Sequence, residues 1–395
     1  MTSMYEEHLK PLSGKLEEML KVLVDWSETN SGSYNPEGLE KMRSKLKEAF
    51  SILGGEIKEE ALDNGVSPAI SIRKRAEAPI QILLAGHFDT VFSPPSDFLR
   101  TQYSKERLIG PGVADMKGGI LIILYTLKIL ENSPFAANLG WEVFLNPDEE
   151  ISSMGSKNAY YSRASVYDLG LVYEPCFSDG QLVSSRKGII NASLQAFGKA
   201  AHAGRDFHLG KNAIVGLAKI LIAIDNMNQA ENDLTLNIGT VQGGSTTNIV
   251  PGFASAKINM RANKQETLAE YLQKIKELTL SSSGEGLNFS LEVSSTRPPK
   301  QIDKDTEAMF SQLCSCGADL GLSLKWKPSG GGSDACFLAD AGLTTLDTLG
   351  PIGGQLHTHQ EYIENASLIE RTQLSALFLM KIANGEIKLP KKRKS

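Results

Sequence analysis

Apolar residues recur at spacings of three and four over Leu9–Trp26 and Leu39–Leu53, which predicts two amphipathic helices. The run Ile80-Gln-Ile-Leu-Leu-Ala85 is short, apolar and ended by glycine, as a buried strand is. Further along, Ile120–Leu130 reads as a buried helix, Trp141–Leu145 as a strand, Ser156–Tyr161 as a short helix and Leu169–Tyr173 as a strand. Strands alternating with helices predict a largely parallel sheet covered on both faces, with ligands bound beyond the carboxyl ends of the strands. Near Gly188 the rhythm changes. Strand Ile189–Phe197, helix Asn212–Met227, strands Leu234–Ile238 and Phe253–Met260, helix Gln265–Leu278 and strand Leu287–Val293 follow the β-α-β-β-α-β order of a ferredoxin-like unit. After Arg297-Pro-Pro-Lys300 the first pattern resumes with helix Thr306–Leu320, strand Leu343–Leu349 and helix Ala366–Asn384. The expectation is an α/β protein. A mainly parallel sheet domain with helices on both faces, residues 1–187 and 301–395, is interrupted by a smaller α+β ferredoxin-like domain, residues 188–300.

Composition narrows the class. At 41% hydrophobic and 22% charged over 395 residues, the chain is ordinary for a globular protein and long enough for a large core. A net charge of −5 gives no reason to expect nucleic acid. The basic run Lys391-Lys-Arg-Lys394 reads as a solvated tail. Met1–Asp25 is too charged for a signal-peptide core, and Lys128 breaks the longest apolar stretch, so no membrane span is expected. The cysteines Cys176, Cys314, Cys316 and Cys336 form no CxxC pair and read as free thiols, which suits a cytoplasmic location.

The chemistry gathers at strand ends. Ile80–Ala85 leads into Gly86-His87-Phe88-Asp89-Thr90, where side chains two apart leave the same face of an extended chain. Trp141–Leu145 leads into Asn146-Pro-Asp-Glu149-Glu150, Leu169–Tyr173 into Glu174-Pro175, and Leu343–Leu349 through a Gly-rich turn to His357-Thr-His359. The loop Gly110-Pro-Gly-Val-Ala-Asp115-Met-Lys-Gly-Gly119 presents one carboxylate among glycines ahead of a helix. Taken singly, Asp115 reads as a helix cap and His87/Asp89 as a hydrogen-bonded polar pair. Taken together, two histidines, three carboxylates, an orienting Asp and a spare Glu are the inventory of a two-metal hydrolytic site. Imidazole and carboxylate without thiolate suit Zn²⁺, Co²⁺ or Mn²⁺, which the ligands alone do not rank.

The motifs His87-x-Asp89-Thr-Val91, Gly110-Pro-Gly112-x-x-Asp115-x-Lys-Gly-Gly119, Asp148-Glu149-Glu150, Glu174-Pro175 and His357-x-x-x-Glu361 resemble the M20 metallopeptidase family in order and spacing. Asn30–Asn35, Arg186-Lys-Gly188, Ala201-His202-Ala-Gly204, Asn248-Ile-Val-Pro251 and Gly330-Gly-Gly-Ser-Asp-Ala335 look like its glutamate carboxypeptidase branch, which is related to acetylornithine deacetylases and succinyl-diaminopimelate desuccinylases. The resemblance implies a phosphorylase/hydrolase-like catalytic domain and an inserted lid and dimerisation domain. It implies that Asp115 bridges two divalent ions, with Zn²⁺ the expected ion and Co²⁺ or Mn²⁺ the substitutes. His87 and Glu174 would complete one site, Glu150 and His357 the other. Glu149 would be the general base on a metal-bridging water, Asp89 would orient His87, and the peptide bond after Asp115 would be cis. His202 would reach a partner subunit's active site in a homodimer and stabilise the oxyanion. Arg261 and Asn248 would hold the substrate's terminal carboxylate, and Gly332 and Ser333 would close around the substrate. Without the resemblance, His202 reads as a solvated turn histidine, Arg261 as a surface arginine at a strand end and Gly330–Gly332 as a flexible loop. His359 stands where many relatives carry proline or another non-ligand, but the spacing to Glu361 favours His357. Met116 replaces the second Asp of several deacylases.

The implied activity is hydrolysis of a peptide or N-acyl amide bond next to a terminal carboxylate. A glutamate carboxypeptidase, an N-acyl-amino-acid deacylase and a dipeptidase share these parts. A metal-free binding protein is the non-enzyme alternative, though no ligand and no base is missing. Gly-x-Ser-x-Gly, the P-loop motif and HExxH are all absent from the sequence.

Overall fold

A computed structural model describes residues 3–63, 67–228 and 233–390, so the basic run at 391–394 lies outside the described residues. The chain divides into two compact units, residues 1–185, 301–329 and 333–395 in the first and 186–300 with 330–332 in the second.

In the first unit the strands Ile80–His87, Leu139–Asn146, Leu169–Val172 and Thr345–Leu346 run parallel. Two further strands, Ala69–Lys74 and Glu56–Glu60, extend one edge antiparallel. Period-two alternation gives the sheet two apolar faces. Ile82 and Leu84 join a large core with the helices Leu16–Ser27, Pro36–Ser51, Gly118–Glu131, Lys304–Asp319 and Asn365–Ala383, while Leu83 and Ala85 join a smaller one with Lys157–Ala164 and Ala335–Asp340. Gly118–Glu131 is apolar almost all round, which suits its burial between the sheet and Asn365–Ala383. Local signals start several helices. The Asn35 side chain accepts from Gly38 N (3.2 Å) with Pro36 next in line, and Asp303 accepts from Thr306 N (2.7 Å).

Two features of this sheet differ from the sequence expectation. The strand expected over Leu343–Leu349 is only Thr345–Leu346, because Leu343 turns into the smaller core and Thr348 adopts φ +61°. The antiparallel edge has no counterpart in the hydrophobic pattern. Its outer strand, Glu-Ile-Lys-Glu-Glu, is mostly exposed and too polar to stand out.

The second unit is a four-stranded antiparallel sheet in the order Thr235–Gly243, Phe253–Ala262, Gly188–Phe197, Asn288–Arg297. The helices Ala213–Asp225 and Gln265–Ser281 cover one face, where Ile190, Leu194 and Ala196 alternate inward against Leu217, Ile220, Leu268 and Ile275. Strand order and connectivity are those of the ferredoxin-like arrangement.

Candidate metal centre

The carboxyl ends of the parallel strands deliver three of the side chains. Ile80–His87 ends on His87, Leu139–Asn146 is followed by the turn Glu149–Ile151, and Leu169–Val172 is followed by Glu174. Asp115 comes from the turn Val113–Lys117 ahead of helix Gly118–Glu131, and His357 from the loop after Gly353–Gly354. Ligand atoms of His87, Asp115 and Glu174 lie within 4.8 Å of one another, and so do those of Asp115, Glu150 and His357. Asp115 is therefore common to both groups. Its Oδ1 lies 3.1 Å from His87 Nε2 and its Oδ2 lies 3.3 Å from His357 Nε2. Glu174 Oε2 is 3.8 Å from His87 Nε2, and Glu150 Oε2 is 3.3 Å from His357 Nε2. His359 belongs to neither group, and its Nε2 lies 3.5 Å from Asp97.

The electrostatics of this cluster are those of too many acids in one place. Burial first, and then the negative charge of Asp115, push the carboxyls of Glu150 and Glu174 up to about 8. The charge settles on Asp115, held well below the carboxylate range because both imidazoles hydrogen-bond to it against the cost of burial. Asp115 and Glu150 in turn raise His357 to about 11. Divalent cations remove that mutual penalty, and imidazole with carboxylate oxygen is a fitting donor set for Zn²⁺, Co²⁺ or Mn²⁺.

Fully buried Asp89 organises the cluster from behind. It accepts from Ser33 Oγ (2.7 Å), Glu149 N (3.1 Å) and Glu150 N (3.2 Å), and its Oδ1 lies 3.2 Å from His87 Nδ1. A proton held on Nδ1 leaves Nε2 to face Asp115 and Glu174. Glu149 is half-buried and directly precedes the ligand Glu150, and its backbone N donates to Asp89 Oδ1 (3.1 Å).

The glycines of the Asp115 loop act through sterics. Gly112 has φ +69°, and a Cβ on Gly119 would stand 2.0 Å from the carbonyl oxygen of Tyr173, the residue before Glu174. The Asp115–Met116 peptide bond is cis. Asp115 itself is only 8% exposed, so the loop buries the carboxylate, whereas the glycine-rich sequence predicts a presented one. Asp115 is also no helix cap, since no side chain caps Gly118–Glu131.

Three supports escape sequence reasoning. Buried Glu361 accepts from Ala114 N (2.9 Å) and Asp115 N (3.0 Å), tying the His357 loop to the Asp115 loop. Buried Lys117 donates from Nζ to the carbonyls of Trp26 (3.0 Å) and Thr29 (2.9 Å), pinning the same loop to the end of helix Leu16–Ser27. Ser33 holds Asp89. All three stand within motifs of the sequence (Asn30–Asn35, Gly110–Gly119 and His357-x-x-x-Glu361), but none of those motifs shows what its side chain touches.

The other candidates belong to neither ligand group. In the second unit, His202 pairs with Ile249 across a short antiparallel bridge, next to Asn248. His202 Nδ1 accepts from Gly204 N and Arg205 N (3.1 Å each), so a neutral ring carries its proton on Nε2. Arg261 donates from Nε to Asn259 Oδ1 (2.8 Å) and from Nη1 to Gly330 O (2.7 Å), and among the described residues Nη2 has no hydrogen-bond partner. Gly332 O accepts from Arg186 Nη1 (3.0 Å). Ser333, in the first unit, is fully buried and donates to Asp347 Oδ2 (3.1 Å), so its hydroxyl serves the loop itself. No described helix is long and apolar enough to cross a membrane.

The model of Peptidase family M20/M25/M40 matches residues 83–381. Carboxypeptidase G2 of Pseudomonas sp. (strain RS-16) is 26% identical over 313 residues, 77% of this chain and 74% of that protein. Succinyl-diaminopimelate desuccinylase of Orientia tsutsugamushi (strain Boryong) is 28% identical over 330 residues, 78% of this chain and 82% of that protein. An M20 family metallo-carboxypeptidase from Sulfolobus solfataricus superposes with a TM-score of 0.76 over 93% of this chain and 99% of that one; at 18% identity this is a likeness of fold.

Proposed function

The chain belongs to peptidase family M20/M25/M40 and is a metallopeptidase or amidohydrolase of that family, and from this premise we propose that it cleaves a peptide or N-acyl amide bond beside a terminal carboxylate. The observation that carries the reading is the sharing of Asp115 by two ligand groups, one of which includes Glu150, the neighbour of Glu149 in the chain. His87 and Glu174 would hold one divalent ion, Glu150 and His357 the other, with Asp115 common to both. Ions bound there supply a polarising charge to the scissile carbonyl and bring the pKa of a water towards neutrality. Glu149 would take a proton from a water as its oxygen bonds to the carbonyl carbon, and would return it to the amine nitrogen as the C–N bond breaks. Asp89 keeps the His87 ring in one tautomer, so that its Nε2 stays aimed into the cluster.

The second unit supplies substrate recognition in this reading. The Nε2–H of His202 is a donor suited to a developing oxyanion, and Arg261 Nη2 with Asn248 suits a substrate carboxylate. Family membership favours a homodimer in which His202 serves the partner subunit's centre. Mixing His202→Ala protein with Glu149→Gln protein should then restore part of the activity, and a proven hybrid with none would refute a shared site.

The test is a screen of metal-loaded protein against N-acyl amino acids and dipeptides, C-terminal glutamate and aspartate included. Hydrolysis should need the free carboxylate, and Glu149→Gln should retain metal while losing about 10²–10⁴-fold in kcat. Preference for amidated substrates would overturn the carboxylate clamp. Full activity in Glu149→Gln would overturn the base. The relatives' names cover carboxypeptidase and desuccinylase alike, so the same screen decides between carboxypeptidase, deacylase and dipeptidase. No hydrolysis of any amide with less than one ion bound would support a binding protein instead.

A further inference from the structure

The sheet of the second unit packs its helices on one face. Ile190, Leu194, Ile258 and Met260 belong to the core under those helices, so Asn191, Asn259 and Arg261, each one step along, stand on the opposite face. Asn259 and Asn191 are direct partners across the two central strands. On the other side of Asn191 the register shifts between Val293 and Ser295, and the extra residue brings Ser295 opposite Asn191. The displaced Ser294 ties this bulge down by donating from Oγ to Asn191 O (3.1 Å). A row of polar side chains therefore crosses three strands and ends beside Arg261, two residues beyond Asn259 on the same strand.

The row is hydrogen-bonded throughout. Arg261 donates from Nε to Asn259 Oδ1 (2.8 Å), Asn259 from Nδ2 to Asn191 Oδ1 (2.7 Å), and Asn191 from Nδ2 to Ser295 Oγ (2.8 Å). Its first member sets its direction. A guanidinium has no acceptor, so Asn259 must turn its oxygen to Arg261 and its NH₂ to Asn191, and Asn191 must do the same one strand on. Ser295, which closes the chain, is 8% exposed, and both amides are half-buried. A second hold on Arg261 comes from Gly330 O, which accepts from Nη1 (2.7 Å). Both acceptors are neutral, and among the described residues no carboxylate pairs with Arg261. The guanidinium is thus fixed at two nitrogens and keeps its charge. An aspartate at position 259 would hold Nε more strongly but would cancel that charge.

On the reading that Arg261 takes a substrate's terminal carboxylate, we infer that Asn259, Asn191 and Ser295 are positioning residues for it. They fix the plane of the guanidinium through uncharged partners, so orientation is gained with no loss of charge. Because they act through Arg261, their effect is confined to ligands that carry the carboxylate.

The test uses metal-loaded protein carrying Glu149→Gln, so that ligands are not consumed. Titration calorimetry compares N-acetyl-glutamate with its α-carboxamide, equal in shape but lacking the charge. The carboxylate should bind on the order of tenfold more tightly. Asn259→Ala, which loses the orientation, and Asn259→Asp, which loses the charge, should each lower that ratio about fivefold. Asn191→Ala does not touch Arg261 and should lower it about twofold to threefold. Carboxamide affinity and metal content should stay the same throughout, which shows that each variant is folded; Asn259→Asp, equal in size, decides the matter if Asn259→Ala does not fold. In Arg261→Ala the ratio should already be near one, and adding Asn259→Ala should not move it. If Arg261→Ala removes the preference but the Asn259 variants keep it, the relay is overturned and the carboxylate clamp stands. The same holds if Asn259→Ala weakens binding equally with and without Arg261, as a purely structural role would. A ratio unmoved by Arg261→Ala, or binding of neither ligand, overturns the clamp and the relay together.

Discussion

Asp89→Asn removes one charge and replaces one oxygen, and both oxygens of this carboxylate are in use. Oδ2 serves two donors, and Oδ1 serves one and stands against the His87 ring. Oδ1 accepts from Glu149 N (3.1 Å) and lies 3.2 Å from His87 Nδ1; Oδ2 accepts from Glu150 N (3.2 Å) and Ser33 Oγ (2.7 Å). An amide has one oxygen and one NH₂, and either orientation sets the NH₂ against a backbone N–H. That buried N–H loses its acceptor, at about 1–3 kcal/mol. His87 Nδ1 keeps the backbone carbonyl of residue 89 (3.1 Å) but loses the negative charge 3.2 Å away, and removal of such charged partners lowers metal affinity by about 10–100-fold. Two assays read these effects separately. Urea unfolding of the metal-free protein should show the loss of stability, and chelator competition should show the loss of affinity. Stability within about 0.5 kcal/mol of wild type, together with unchanged affinity, would refute the role given to Asp89.

Two further substitutions probe the scaffold. Glu131 accepts from Arg75 Nη1 (2.9 Å) and Trp141 Nε1 (2.9 Å) and pairs with Lys74; burial opposes its ionisation, but these partners outweigh burial and hold its carboxyl at about 2. A folded pKa below the unfolded value near 4.5 means stability that is present above about pH 4.5 and lost as pH falls towards 2, on the order of 3 kcal/mol. Glu131→Gln should flatten that part of the stability–pH curve in urea titrations, and an equally steep curve would show the carboxylate to be irrelevant. Gly119→Ala would put a Cβ 2.0 Å from Tyr173 O and 3.0 Å from Met116 Cε, whereas a Cβ on Gly14 meets nothing within 4 Å. The first should lose about 2 kcal/mol or more and weaken metal binding through Glu174, and the second should do neither; equal behaviour of the two would remove the steric account of the loop.

The elements legible in the sequence are those whose burial repeats along the chain. Helix Asn365–Ala383 and the run Ile80–His87 bury most or all of their length, and the strand Gly188–Phe197 buries every second residue. Glu56–Glu60 does not, and Leu343–Leu349 has the composition of a strand but bends out of the sheet at both ends of Thr345–Leu346. His87 and Glu174 are legible because strand ends in a parallel sheet are where ligands collect. Glu361 and Lys117 are not, because each acts on a backbone far away in sequence. Glu361 accepts from Asp115 N across 246 positions, and Lys117 donates to Trp26 O across 91. No local pattern records such a contact. Charge at a buried position is the available clue, and burial itself has to come from the fold.

The central claim is that Asp115 serves two ions at once, and counting ions tests it most directly. Metal-free protein would be saturated with Zn²⁺, freed of unbound ion and analysed for metal per chain, alongside Asp115→Ala and His357→Ala. The account predicts two ions in the wild type, fewer than one in Asp115→Ala and one in His357→Ala. A single ion in the wild type, or two retained without Asp115, would contradict it.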